Sequence, residues 1–114
     1  MTEIKITSDN FHRDVLSADR PVILDFWAEW CLPCRLMSPV IADLSEQMKG
    51  AVLVGEINID EESELTRLYN VTVIPTLIRL DRGYETKRLT GVYPREKLSK
   101  DLGLELPDKA EQED

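Results

Sequence analysis

Sulfur and imidazole are scarce in this chain of 114 residues, which has two cysteines and one histidine. Two cysteines cannot build a disulfide framework, so the fold has to rest on an apolar core. At this length one compact domain buries roughly 60–70% of its unfolded-chain surface, which is enough. Structural zinc takes four ligands. One cysteine pair supplies two, and His12 lies far upstream on a polar stretch that reads as surface. Zinc would need a second chain, and no metal is expected. Long apolar runs are also missing. None approaches the ~20 residues that cross a bilayer, so no membrane association is expected. The opening "MTEIKITSDNFHRD" has no apolar signal core and no cleavage site, which favours a cytoplasmic location. Basic charge is in deficit, with 14 Lys and Arg against 22 Asp and Glu and a formal net charge of −8. Neutralising phosphates needs a basic patch, so nucleic acid is an unsuitable partner. Neither a repeat nor a Gly/Ser linker divides the chain. One domain is expected over residues 1–106, followed by an acidic, disordered tail at 107–114, where "DKAEQED" is dominated by acids.

What is present is a regular alternation of element signals. Residues 3–7, "EIKIT", alternate as a strand. Ser8 can cap a helix running to Ala18, with Phe11 and Val15 on one face. Residues 22–28, "VILDFWA", form a nearly continuous apolar run, the mark of a strand covered on both faces. Met37, Ile41, Leu44 and Met48 then recur at helical spacing, with Pro39 inside as a kink and Gly50 as a stop. Residues 51–59 read as another buried strand. Asp60 can cap a helix whose inner face is Leu65, Leu68 and Tyr69. "TLIRL" (76–80) and "YETKRLT" (84–90) are strands separated by Asp81-Arg82-Gly83, a link short enough to force an antiparallel hairpin. Pro94 opens a last helix with Leu98 and Leu102 inward. The order β-α-β-α-β-α-β-β-α predicts an α/β fold. Its mixed central sheet is flanked by helices on both faces.

Both cysteines sit in "FWAEWCLPCRLMSPV", residues 26–40. Cys31 comes just after a central strand, at the start of a helix. Free amides and the helix dipole there favour a thiolate, the nucleophilic form of cysteine. Cys34 lies one turn on, facing the same way but farther from the positive end. The asymmetry assigns roles: Cys31, the more exposed, attacks a substrate disulfide, and Cys34 resolves the mixed disulfide. Pro33 stiffens the first turn. Two other readings stay open at this point, half of a shared zinc site and a pair of inert core thiols, although a strand-to-helix turn usually lies at a sheet's rim. Asp25 stands inside the apolar run. Burial raises a carboxyl pKa, which suits a general acid/base, and a structurally paired aspartate is the alternative. Pro75, in Ile74-Pro75-Thr76, opens the hairpin, where its missing N–H is tolerated.

Taken together, "DFWAEWCLPC", Pro39, "NID" at 58–60, "IPT" at 74–76, Gly83 and Gly91 resemble the thioredoxin family, over roughly residues 4–106. The resemblance implies the thioredoxin fold and a thiol-disulfide oxidoreductase that reduces protein disulfides through a reversible Cys31–Cys34 pair. It implies a cis Ile74-Pro75 bond lying against the cysteines, with backbone near Ile74 binding an extended substrate segment. Trp30, Leu32, Pro33, Ile74, Pro75 and Gly91 would meet substrate. Asp25 would move the proton of Cys34. No bound cofactor is implied. Electrons would come from a thioredoxin reductase, either NADPH- or ferredoxin-linked, and the partners would be that reductase and disulfide-containing proteins, with this chain a monomer. Three departures bear on tuning: Leu32 replaces the usual glycine, Arg35 the usual lysine, and Glu56 stands where many members have a lysine near the aspartate. Trp27 flanks the same site. Leu32 and Glu56 support one alternative, a specialised redox protein of altered potential and few substrates. Another is a binding module in which the groove docks a partner and redox is incidental; activity of a doubly Cys→Ser variant in a partner assay would favour it.

Overall fold

The apolar run at residues 22–28 becomes the central strand of a five-stranded sheet, in a computed structural model that describes residues 2–104. The strands are β1 (Ile4–Lys5), β2 (Val22–Trp27), β3 (Leu53–Asn58), β4 (Thr76–Asp81) and β5 (Tyr84–Thr90), in spatial order β1-β3-β2-β4-β5. β1 and β2 both pair with β3 in parallel, and β4 runs antiparallel to β2 and to β5. Three α-helices accompany them: α1 (Leu32–Gln47), α2 (Ser63–Leu68) and α3 (Arg95–Asp101). The tail expected at 107–114 lies outside the described residues, as do the last two positions of the expected domain.

Alternation along β2 divides the core between the two faces of the sheet. Ile23 packs with Met37, Ile41 and Leu44 of α1 and Leu98 of α3. Val22, Leu24 and Phe26 pack on the other face with Phe11, Val15, Ile57 and Leu65. Each fully buried side chain of this size contributes about 1.5–3 kcal/mol of burial. The tightest approach is at Gly55 in β3, where a Cβ would lie 2.5 Å from Ile6 Cγ1. Only a residue without a side chain lets Ile6 lie flat there.

The expected order of elements holds, with local corrections. The helix read over 8–18 shrinks to one π turn, His12–Leu16. Asn10 closes the turn ahead of it: its Oδ1 accepts from Thr7 N (2.9 Å) and its Nδ2 donates to Lys5 O (2.8 Å). Ser8 does not cap; its N–H and hydroxyl both donate to Glu62 Oε1 at 2.9 Å. Asp60 does not cap α2. Asn58 Oδ1 takes the N–H groups of Asp60 (2.9 Å) and Glu61 (3.3 Å), forming an Asx turn ahead of the helix. Leu68 is 62% exposed: three residues on from Leu65, it falls at the edge of the inward stripe, and only Leu65 of α2 is buried. The third strand begins at Leu53, two residues later than read, since Ala51 and Val52 carry the turn after α1.

Candidate active site

The site is built where β2 ends and α1 begins. After Trp27 the chain turns, and Cys31 N–H donates to Ala28 O at 3.2 Å. Cys31 is the N-cap of α1, in extended conformation, with a proline in the first helical turn. Its Sγ accepts from Cys34 N–H at 3.2 Å, so a free amide of the helix start is aimed at that sulfur. The two cysteines are joined in a disulfide, with 5.3 Å between their Cα atoms. The expected difference in exposure is absent in this form: Cys31 is 4% exposed and Cys34 6%. One turn of helix folds both under Ala28, with Trp27, Ile59 and Ile74 packed around them. What still distinguishes the sulfurs is position. Cys31 faces the helix amide and the Ile74 carbonyl, 4.0 Å away, whereas Cys34 faces inward.

Two braces hold the loop. The Arg35 guanidinium donates to Glu29 O at 3.1 and 2.7 Å, an arrangement lysine could not match as a fork. Trp30 Nε1 donates to Asp60 Oδ2 at 2.8 Å, which explains what Asp60 does in place of capping. Trp30 stays 66% exposed and Leu32 63%. Pro33 is exposed beside them. Across the disulfide the Ile74-Pro75 peptide is cis, and Pro75 O accepts from Gly91 N–H at 2.9 Å. Gly91 has φ +92°, which glycine takes without strain. Pro75 itself is buried, so Ile74 presents the accessible backbone. Leu36, Val73 and Val92, also exposed, are chain neighbours of these residues that the sequence reading missed. Their signal was available, since each is an apolar residue one helical turn from, or next to, a residue already singled out.

Beneath the disulfide lies a crevice of about 110 Å³ lined by Asp25, Trp27, Cys34, Arg35, Ser38 and Glu56. Asp25 is 6% exposed, and its pKa is pushed up to about 7, first by burial and then by the negative charges of Glu56 and Glu3. Glu56 lines this crevice and also borders an outer one. It is the register partner of Asp25, half-buried, and its own carboxyl is raised by burial and by Glu3. Glu3 was not singled out from sequence. It joins this row only because β1 pairs with β3, a neighbour relation that local pattern does not encode. His12 is exposed on the π turn, as read.

The family model described as Thioredoxin matches residues 2–103. The chain is 40% identical over 97 residues to Thioredoxin of Alicyclobacillus acidocaldarius, covering 85% of this chain and 91% of that protein. It is 36% identical over 102 residues to Thioredoxin 1 of Nostoc sp., covering 90% and 95%. It is also 35% identical over 104 residues to the Bifunctional thioredoxin reductase/thioredoxin of Mycobacterium leprae, covering 91% of this chain and 23% of that longer protein.

Proposed function

The chain belongs to the thioredoxin family and is a thiol-disulfide oxidoreductase, and from that premise we propose the role of each group. Cys31 is the nucleophile. The observation that carries this is the Cys34 amide aimed at its sulfur from 3.2 Å, which stabilises a thiolate. The Cys31 thiolate attacks one sulfur of a substrate disulfide, forming a mixed disulfide and releasing the other sulfur as a thiolate. Asp25 takes the proton of Cys34. The Cys34 thiolate then attacks Cys31 Sγ, the bond to substrate breaks, and the second substrate thiolate leaves. Two electrons pass to the substrate, whose thiolates take protons from water, and the Cys31–Cys34 disulfide remains. A reductase dithiol returns the two electrons.

Substrate lies against Trp30, Leu32 and Pro33 on one side and Ile74 and Gly91 on the other, with buried Pro75 holding the wall from behind and the free backbone at Ile74 pairing as an added strand. Trp27 packs the floor, Arg35 braces the loop, and Glu56 sets the charge beside Asp25. No bound cofactor is needed. A thioredoxin reductase is the electron donor, a reading supported by the relative whose name joins the two activities. The protein works as a cytoplasmic monomer on disulfide-containing proteins, with the domain over 1–106 and the acidic tail outside it. Reduction of a protein disulfide, coupled to thioredoxin reductase and NADPH, tests this; no NADPH consumption above the chain-free control overturns it. Leu32, a bulky and exposed side chain beside the nucleophile, favours a narrower substrate range as a second reading. Leu32→Gly widening the range of proteins reduced would support it.

A further inference from the structure

Three carboxylates stand near one another across three neighbouring strands. Asp25 in β2 and Glu56 in β3 are register partners, and Glu3, just ahead of β1, raises the pKa of both. Lys5, the register partner of Glu56 on its other side, turns its ammonium to Glu61 at 3.0 Å. Arg35 lines the inner crevice from α1, but its guanidinium is held by Glu29 O. Among the described residues no cation bonds to Asp25 or Glu56.

A second crevice, of about 260 Å³, lies on the solvent side of this row, lined by Lys5, Trp27, Glu29, Glu56, Asn58 and Glu61. The two crevices share Trp27 and Glu56. The indole of Trp27 is only a donor and exchanges no proton in this range. Glu56 is therefore the one titratable side chain common to both.

We propose that Glu56 is a positioning residue of the reductase reaction, the outlet through which the proton Asp25 takes from Cys34 leaves for solvent. This deepens the reading above and rests on Asp25 as the base for Cys34. Asp25 would accept the proton when Cys34 becomes the attacking thiolate. The Glu56 carboxylate would take it from Asp25, directly or through water, and give it to water in the outer crevice. Asp25 is then again a carboxylate, and the sum is one proton moved from Cys34 to bulk solvent. Both carboxyls are raised by burial and by neighbouring negative charge, so each can hold the proton in turn, which suits a relay.

The test uses the full chain, reduced, against a protein disulfide at saturation, with formation of the Cys31–Cys34 disulfide followed by stopped-flow tryptophan emission. Wild type is compared with Glu56→Gln, Glu56→Asp and Asp25→Asn across the titration range of the pair, at low and high imidazole. Glu56→Gln is expected to slow disulfide formation about tenfold, a fraction of the ~10²–10⁴-fold that a positioned acid–base group supplies. Imidazole is expected to restore its rate, and Glu56→Asp to behave as wild type. A Glu56→Gln rate that equals wild type, or one that is slow but indifferent to imidazole, overturns the relay. With Asp25→Asn still slow, that outcome leaves the base standing. An Asp25→Asn variant as fast as wild type overturns the base and the relay together.

Discussion

Asp25, the proposed base for Cys34, also bears on stability. Its carboxyl is raised from an ordinary 3.8 to about 7 in the fold, so the folded state holds a proton that the unfolded chain has released. The associated stability is fully present below the unfolded pKa and is lost as pH rises through about 7. Full ionisation is expected to cost on the order of 4 kcal/mol relative to the protonated form. Asp25→Asn is therefore expected to unfold at higher urea than wild type at about pH 8 and to flatten the dependence between about pH 4 and 7. Equal pH dependence in the two proteins would contradict it. A second expectation concerns the cysteines. Cys34→Ser is expected to trap mixed disulfides through Cys31, while Cys31→Ser traps none, because only Cys31 receives the helix amide. Non-reducing gels after mixing with a disulfide-containing protein decide it. The cysteine spacing and the lone acid in an apolar run were legible in sequence, since each is a local anomaly. Glu3 and the Trp30–Asp60 bond were not, because each depends on residues far apart in the chain.

At the scale of elements, long periodic segments were the readable ones. The pattern Met37, Ile41, Leu44 and Met48 placed α1, and each of the four is buried. The hairpin followed from its short link, and the structure tightens the turn to Arg82-Gly83, both at positive φ. The short segments were less readable. One asparagine, Asn10, ties the turn ahead of the π turn to β1, and another, Asn58, takes over the turn before α2. In both cases an amide side chain bonds local backbone in a way that residue pattern does not announce. Gly55 was not singled out either, since a glycine inside a strand gains meaning only from what lies against it. Gly55→Ala is expected to destabilise the protein by about 1–3 kcal/mol, because the added methyl meets buried Ile6 close to its backbone. Urea unfolding measures it, and an unchanged midpoint would show that β1 can shift at no cost.

Across the whole molecule, a net charge of −8 sets how partners approach. Basic disulfide-containing proteins are expected to react faster than acidic ones at low ionic strength. Their rates should fall as salt is added, since a Debye length of about 10 Å at 0.1 M screens such steering. Second-order rate constants for one basic and one acidic substrate over a salt series check this; parallel, salt-independent rates would oppose it. The antiparallel ladder between β2 and β4 has a different kind of consequence. Phe26 stands opposite Thr76, so the end of one strand meets the start of the other, and that single junction brings Cys31 beside Ile74. Electron handling is thus encoded in residues 22–34 and the opposing wall in residues 74–91, two stretches separated by a helix, a strand and another helix. If substrates dock on that wall as proposed, variation in the hairpin would redraw which proteins bind while leaving the sulfur chemistry untouched, and a graft of that hairpin from a relative would transfer preference without transferring reactivity.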